Sequence, residues 1–235
     1  MGEQAPRGTL YVVVCAAPPA AHVQDLVKLA QAAGWEVAVT ATPEALAFID
    51  APLLEAITGF PVRHRWREPD EPESVPEPNA IVVAPATFNT INRWVAGITN
   101  TVAVGTLCES LGLDAPIVAV PNVNPPLARH PTFRASLRQL REWGVRVVFE
   151  ESAPREARMP PWEEILEEVN QAHDATGWPP RGAPGTGTAA RADGAAPRPS
   201  RWSTCRSVSA SPSTAADVAC PSSPWPPWSA GRRPG

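Results

Sequence analysis

Residues 10–15, Leu-Tyr-Val-Val-Val-Cys, form an apolar run with no polar interruption; 80–84 and 117–120 repeat it, and mostly apolar runs recur at 35–40 and 145–149, interrupted by Glu36 and Arg146. A strand with one wet face alternates apolar and polar side chains; one that does not alternate is covered on both faces. Helical spacing separates the runs. Val23, Leu26, Val27, Leu29 and Ala30 share one face and end at Gly34, a residue suited to a helix stop. Thr42-Pro43-Glu44 reads as a helix entry, with a capping hydroxyl followed by Pro at the first helical position, and this helix runs to Ile57 and Gly59. Further helices are expected over 89–111, interrupted near Gly97 or Gly105, over 131–143 with Gly144 closing, and over 161–172. Residues 61–79 are polar and Pro-broken, a long loop. Strict strand–helix alternation with strands of this kind predicts an α/β fold: a doubly wound parallel sheet of five or six strands with helices on both faces.

Composition divides the chain. Residues 177–235 contain no Leu, Ile, Phe or Met and are dominated by Pro, Ala, Ser, Gly and Arg. Such a segment buries too little apolar area to offset the entropy of ordering it. The expected organisation is therefore a flexible terminus over 1–8, one folded domain over 9–173, and a disordered tail over 174–235. With a net charge of −4, nothing in the electrostatics points to nucleic acid as a partner. No run has the length of a membrane span, and the expected location is the cytoplasm. Cys15, Cys108, Cys205 and Cys220 form neither a close ligand pair nor a disulfide framework; Cys15 and Cys108, in apolar surroundings, read as buried reduced thiols.

Function is expected where two strands exit. Val82-Val83-Ala84 runs into Pro85, Ala86, Thr87, Phe88, Asn89 and Thr90, and Val118-Ala119-Val120 runs into Pro121, Asn122, Val123 and Asn124. In open α/β sheets, ligands bind at the carboxyl ends of strands, and both exits offer amides or hydroxyls there. Thr87, Asn89 and Thr90, with Pro85 and Phe88, suit the edge and face of a flat, polar-edged ring; a capped helix start accounts for one of them but not for the cluster. Asn122 and Asn124, one residue apart, can share a face and offer donors and acceptors to a carboxylate or peptide group, although Asn beside Pro also forms turns. Thr40 and Thr42 end the second strand as hydroxyl donors to a phosphate or sugar, Thr42 doubling as a cap. The first strand-to-helix turn, Ala16-Ala17-Pro18-Pro19, has no Gly for close approach of an anion, and its prolines remove two N–H donors. Among the histidines, His64 ranks first as a proton carrier because its loop leads towards the expected pocket. The acidic residues near the end of the domain read as solvated helix faces.

These residues resemble a family of flavoproteins that decarboxylate cysteine, including phosphopantothenoylcysteine decarboxylases and enzymes acting on C-terminal cysteines of peptides. The resemblance spans residues 10–172. The family signature Pro-x-Ser-Ala-Asn-Thr stands here as Pro85-Ala86-Thr87-Phe88-Asn89-Thr90, continuing through Arg93, Ala96, Gly97, Ile98 and Asn100. A second signature, Pro-Ala-Met-Asn-x-x-Met-Trp, stands as Pro121 to Ala128 with Pro131 at the expected distance. The resemblance implies a Rossmann-like, flavodoxin-like sheet holding FMN through Thr40, Thr42, Pro85, Ala86, Thr87, Asn89 and Thr90, with the phosphate near Ala17 and Pro18. It further implies that Asn124, beside Asn122, binds the carboxylate of a thiol-bearing small molecule or peptide. Assembly as a homo-oligomer, a trimer or multiple of trimers, is implied as well. In the family's chemistry the flavin oxidises a cysteinyl thiol, and loss of carbon dioxide leaves an enethiol.

The sequence also departs from the family pattern. Ala17 and Pro18 replace a Gly-Ser pair, Leu127-Ala128 replaces Met-Trp, and residues 145–172 hold no reactive Cys. The family's base His has no counterpart in residues 67–79, where ungapped alignment puts Glu71; His64 and Glu71 are the two candidates to replace it. The alternative to a divergent decarboxylase or redox enzyme is a non-catalytic flavin-binding regulatory or oligomeric subunit.

Overall fold

The computed structural model describes residues 6–71, 75–113, 115–151 and 159–176. The chain divides into two units, Met1–Pro184 and Gly185–Gly235, and all described residues lie in the first; the expected tail beyond Thr176, with Cys205 and Cys220, lies outside them. Among the described residues five strands form one parallel sheet: β1 (Gly8–Val14), β2 (Trp35–Ala41), β3 (Ala80–Ala86), β4 (Ile117–Pro121) and β5 (Arg146–Val147), in the order β2-β1-β3-β4-β5. The α-helices are α1 (Val23–Ala32), α2 (Ala51–Thr58), α3 (Phe88–Val95), α4 (Val102–Ser110), α5 (Pro125–Ala128), α6 (Pro131–Glu142) and α7 (Trp162–Thr176).

The two-residue period of a strand sorts the sheet's side chains into two cores. Leu10, Val12 and Val14 of β1 pack with Leu26 and Val27 of α1, Leu54 of α2 and Ile165 and Val169 of α7. Tyr11, Val13 and Cys15 point the other way, among Ile91 and Trp94 of α3, Leu107 of α4 and Phe133 and Leu140 of α6. Both faces are covered, which is why the strands carry no polar alternation.

Several elements differ from expectation. The helix expected from Thr42 is broken: Pro43–Ala47 is a single 3-10 turn, and α2 starts afresh where the Asp50 carboxylate accepts the Leu53 N–H at 3.0 Å. It ends as expected at Gly59, whose φ of 75° permits the left-handed cap. The expected 89–111 helix splits at Gly97, not Gly105, because Thr101 caps a new helix by accepting the Val104 N–H. The fifth strand is shorter than expected because it lies at the sheet edge and pairs only with Val118 and Ala119. Helix α7 continues to Thr176, so residues 174–176 belong to the folded unit. Cys15 is fully buried, whereas Cys108 is half-buried.

Candidate functional site

The strand order reverses between β1 and β3: from β1 the chain moves outward to β2, then returns across β1 to start β3. Loops on either side of such a point diverge and leave a crevice at the carboxyl ends of the strands. A pocket of about 580 Å³ lies there. Ala16, Ala17 and Pro18 follow β1, Thr42 and Glu44 follow β2, Thr87 to Thr90 follow β3, and Asn122, Val123 and Asn124 follow β4; all line it, with Arg93, Thr101, Val104 and Leu127.

Local structure positions these groups. The Thr87 hydroxyl sits at the start of α3, 3.0 Å from the Thr90 hydroxyl and 3.4 Å from the Thr90 N–H that it accepts. The first N–H groups of α3, on Phe88 and Asn89, have no acceptor within the helix, and both residues line the pocket. The N–H groups of Ala16 and Ala17 likewise donate to nothing among the described residues. Asn89, Asn122 and Asn124 line the same space, and no side-chain amide of theirs has a partner among the described residues. Beneath the wall, Asn122 N–H donates to Ala86 C=O at 2.9 Å and Cys15 N–H to Pro85 C=O at 3.2 Å, tying three strand ends together. The Cys15 thiol is pushed up by burial, an effect opposed by its hydrogen bonds with Thr90 and Thr87. It is a neutral group under the floor, not an exposed nucleophile.

Of the residues singled out from sequence, Ala17, Pro18, Thr42, Thr87, Asn89, Thr90, Asn122 and Asn124 are brought together on this wall. Thr40, Pro85 and Ala86 are buried behind it: Thr40 pairs with Val13 in β1, and Ala86 with Pro121 in β4. Phe88 also lines the pocket and lies stacked against Phe133, with centroids 5.6 Å apart. His64 and Glu71 are not among the lining residues. Their loop follows the outer edge of β2 instead, where Arg63 bridges Thr40 and its C=O accepts the Ala41 N–H at 2.7 Å. His64 Nδ1 lies 3.1 Å from the Val62 C=O. Glu71 is exposed; the Glu68 N–H, together with Arg65, holds its carboxyl below the ordinary value, which makes it a weaker base. Glu44 and Thr101 were missed from sequence, and Arg93 received no role. Glu44 lies on the first turn after β2, a position that the strand-end rule marks, whereas Thr101 reaches the pocket only because α4 folds back beside α3.

The polar wall fits a flat ligand that presents many acceptors and few charges, because its donors among the described residues are backbone N–H groups, hydroxyls and amides with a single cation. The Flavoprotein family profile matches residues 3–173, most of the chain. The chain belongs to the Flavoprotein family. The coenzyme A biosynthesis bifunctional protein CoaBC of Escherichia coli K12 is 29% identical to this flavoprotein over 127 residues, 52% of the chain. The alignment spans only 30% of CoaBC, so the chain corresponds to a part of that protein. Among solved structures, the FMN-dependent cysteine decarboxylase SpaF superposes with a TM-score of 0.59 at 21% identity, covering 73% of this flavoprotein and 98% of SpaF. The cypemycin decarboxylase CypD gives 0.59 at 22% identity, covering 74% and 97%. These likenesses establish a shared fold. No helix among the described residues is long and apolar enough to cross a membrane.

Proposed function

We propose that this flavoprotein binds FMN in the strand-end pocket and acts on a thiol-bearing, cysteinyl small molecule or peptide. The observation that carries the proposal is the convergence of Thr87, Asn89 and Thr90 with Asn122 and Asn124 at the point where the strand order reverses. The family assignment and the fold shared with the FMN-dependent cysteine decarboxylase SpaF and the cypemycin decarboxylase CypD support it. In this reading Thr42, Thr87 and Thr90 supply hydroxyls to the cofactor, and Asn89 an amide. The buried Thr40, Pro85 and Ala86 hold the backbone beneath the ring. Ala17 and Pro18 border the phosphate, for which Ala16 and Ala17 supply the two N–H donors left in a turn without Gly. Asn122 and Asn124 face the substrate. When bound, the flavin supplies a two-electron acceptor. The protein's part is to exclude water and hold the reacting group in place, each a matter of fixed donors in a sheltered site. The same reading makes the protein a cytoplasmic homo-oligomer, a trimer or multiple of trimers.

One observation favours a second reading, a flavin-binding regulatory or oligomeric subunit without catalysis: neither His64 nor Glu71 lines the pocket, and loss of a positioned base removes a factor of about a hundred to ten thousand in rate. Two measurements separate the readings. The isolated chain, saturated with FMN and washed, is expected to be yellow and to release FMN on denaturation; a chain that stays colourless refutes flavin binding. Mass spectrometry after incubation with phosphopantothenoylcysteine or peptides ending in cysteine then looks for loss of carbon dioxide. A coloured chain that leaves all of these unchanged belongs to the second reading.

A further inference from the structure

Among the described residues, Arg93 is the one cation on the pocket wall, and Glu44 is the one carboxylate. The two form no ion pair with each other, and Arg93 has no acidic partner or side-chain hydrogen bond among the described residues. Arg7 pairs with Asp174, Arg65 with Glu71, Arg134 with Glu151 and Arg146 with Glu168, all of them away from the pocket wall. Arg93 is half-buried and lies one helical turn from Asn89 and Thr90, so all three share the face of α3 that lines the pocket. A cation in the last turn of a helix is favoured by the helix dipole. That preference accounts for a positive charge on this turn, but not for a guanidinium facing a polar cavity with nothing to neutralise it.

From this we propose that Arg93 is the anion anchor of the pocket, pairing its guanidinium with an oxyanion of the bound molecule. The planar fork matches a carboxylate or phosphate in two parallel hydrogen bonds, and the sheltered wall strengthens them. The oxyanion has two possible sources under the flavin-and-thiol reading on which this inference rests: the substrate's carboxylate or the flavin's phosphate. Asn122 and Asn124 share the cavity and add neutral donors if the oxyanion is the carboxylate, as the N–H groups of Ala16 and Ala17 do if it is the phosphate.

The test compares the native chain with Arg93→Gln and Arg93→Lys in two pairs of ligands. FMN and riboflavin, titrated by quenching of flavin fluorescence, differ only in phosphate. A peptide ending in cysteine and its C-terminal amide, titrated by calorimetry with and without flavin present, differ only in the carboxylate. Arg93→Gln is expected to erase the native preference for the anionic member of one pair by about tenfold or more, with the neutral member unaffected, and Arg93→Lys to restore part of it. Loss on the flavin arm makes the phosphate the source, and loss on the peptide arm makes it the carboxylate. Ratios that stay within about twofold on both arms, or a native chain with no preference for either anion, overturn the assignment. A native chain that binds neither flavin but distinguishes the peptide acid from the amide through Arg93 strikes the proposed function and leaves the anchor standing.

Discussion

Gly8 opens β1 with φ of +98°, and a Cβ placed on it would stand 2.2 Å from Asn79 Oδ1 and 2.4 Å from Asn79 Cγ. Asn79 has no room to yield. It is 4% exposed, its Oδ1 accepts the Thr9 N–H at 2.9 Å, and its own N–H donates to the Thr9 C=O at 2.8 Å. This two-way clasp fastens the start of β1 to the residue before β3. In Gly8→Ala the backbone strain costs about 1–2 kcal/mol. Displacing the Asn79 amide strands a buried Thr9 N–H, at about 1–3 kcal/mol. The expected loss is therefore roughly 2–5 kcal/mol, a large share of the roughly 5–15 kcal/mol typical of a domain. Gly59→Ala is the control, since Gly59 has φ of +75° but nothing within 4 Å of a new Cβ; it bears the strain alone, about 1–2 kcal/mol. Urea unfolding followed by tryptophan fluorescence gives both numbers, with Trp35 and Trp94 buried as reporters. Equal losses at the two sites, or a Gly8→Ala loss under about 1 kcal/mol, would refute the clasp argument.

Other outcomes can be checked in the same preparations. A Cβ at Gly105 would fall 2.2 Å from the Trp66 ring, but that ring is 54% exposed and can swing outward, so Gly105→Ala should change stability by less than about 1 kcal/mol while red-shifting emission, a shift absent in a Trp66→Phe background. His173 is buried with Nε2 lacking any partner among the described residues and meets Trp35 edge-on at 4.8 Å; His173→Phe keeps that contact and should be neutral or stabilising by about 1 kcal/mol in thermal unfolding. The Arg7 guanidinium, 2.8 Å from Asp174, holds that carboxyl below its ordinary 3.8. A lowered folded-state value means that the pair stabilises above the unfolded value and is lost as pH falls through and below 3.8, and exposure limits it to about 0.5 kcal/mol. Asp174→Asn should remove that increment at neutral pH and leave the acid limb of the stability profile flatter. Asn89→Ala should lower FMN occupancy on reconstitution by about tenfold, whereas Asn124→Ala should keep the colour and weaken peptide binding; the reverse pattern would exchange their roles.

The fold was legible because burial on both faces leaves an unambiguous mark: residues 10–15 and 80–84 are apolar without alternation, and both became central strands. What blurred was decided by single side chains competing locally. Asp50, followed by Ala51 and Pro52, carries the cap that breaks the expected second helix, and Thr101 carries the one that selects Gly97 over Gly105 as the break. At the sheet edge, Phe149 leaves the strand pattern and meets Phe133 at 5.7 Å, so packing ended a strand that hydrophobicity alone would have continued. The pocket was legible where it is contiguous in sequence, as in Thr87, Asn89, Thr90, Asn122 and Asn124. It was not legible for Thr101, brought in by the return of α4, or for the loop of His64, whose path along β2 is set by the bridge of Arg63 to Thr40.

The two cores lie on opposite faces of the sheet, and most residues around the crevice follow the ends of strands gripped from above and below. Such a rim has little freedom to lose when an occupant arrives, so the entropy that a loop-built site forfeits on closing is largely spent during folding. Recognition here is then expected to be rigid and shape-selective, with changes in ligand preference arising from substitutions on the rim and not from its rearrangement.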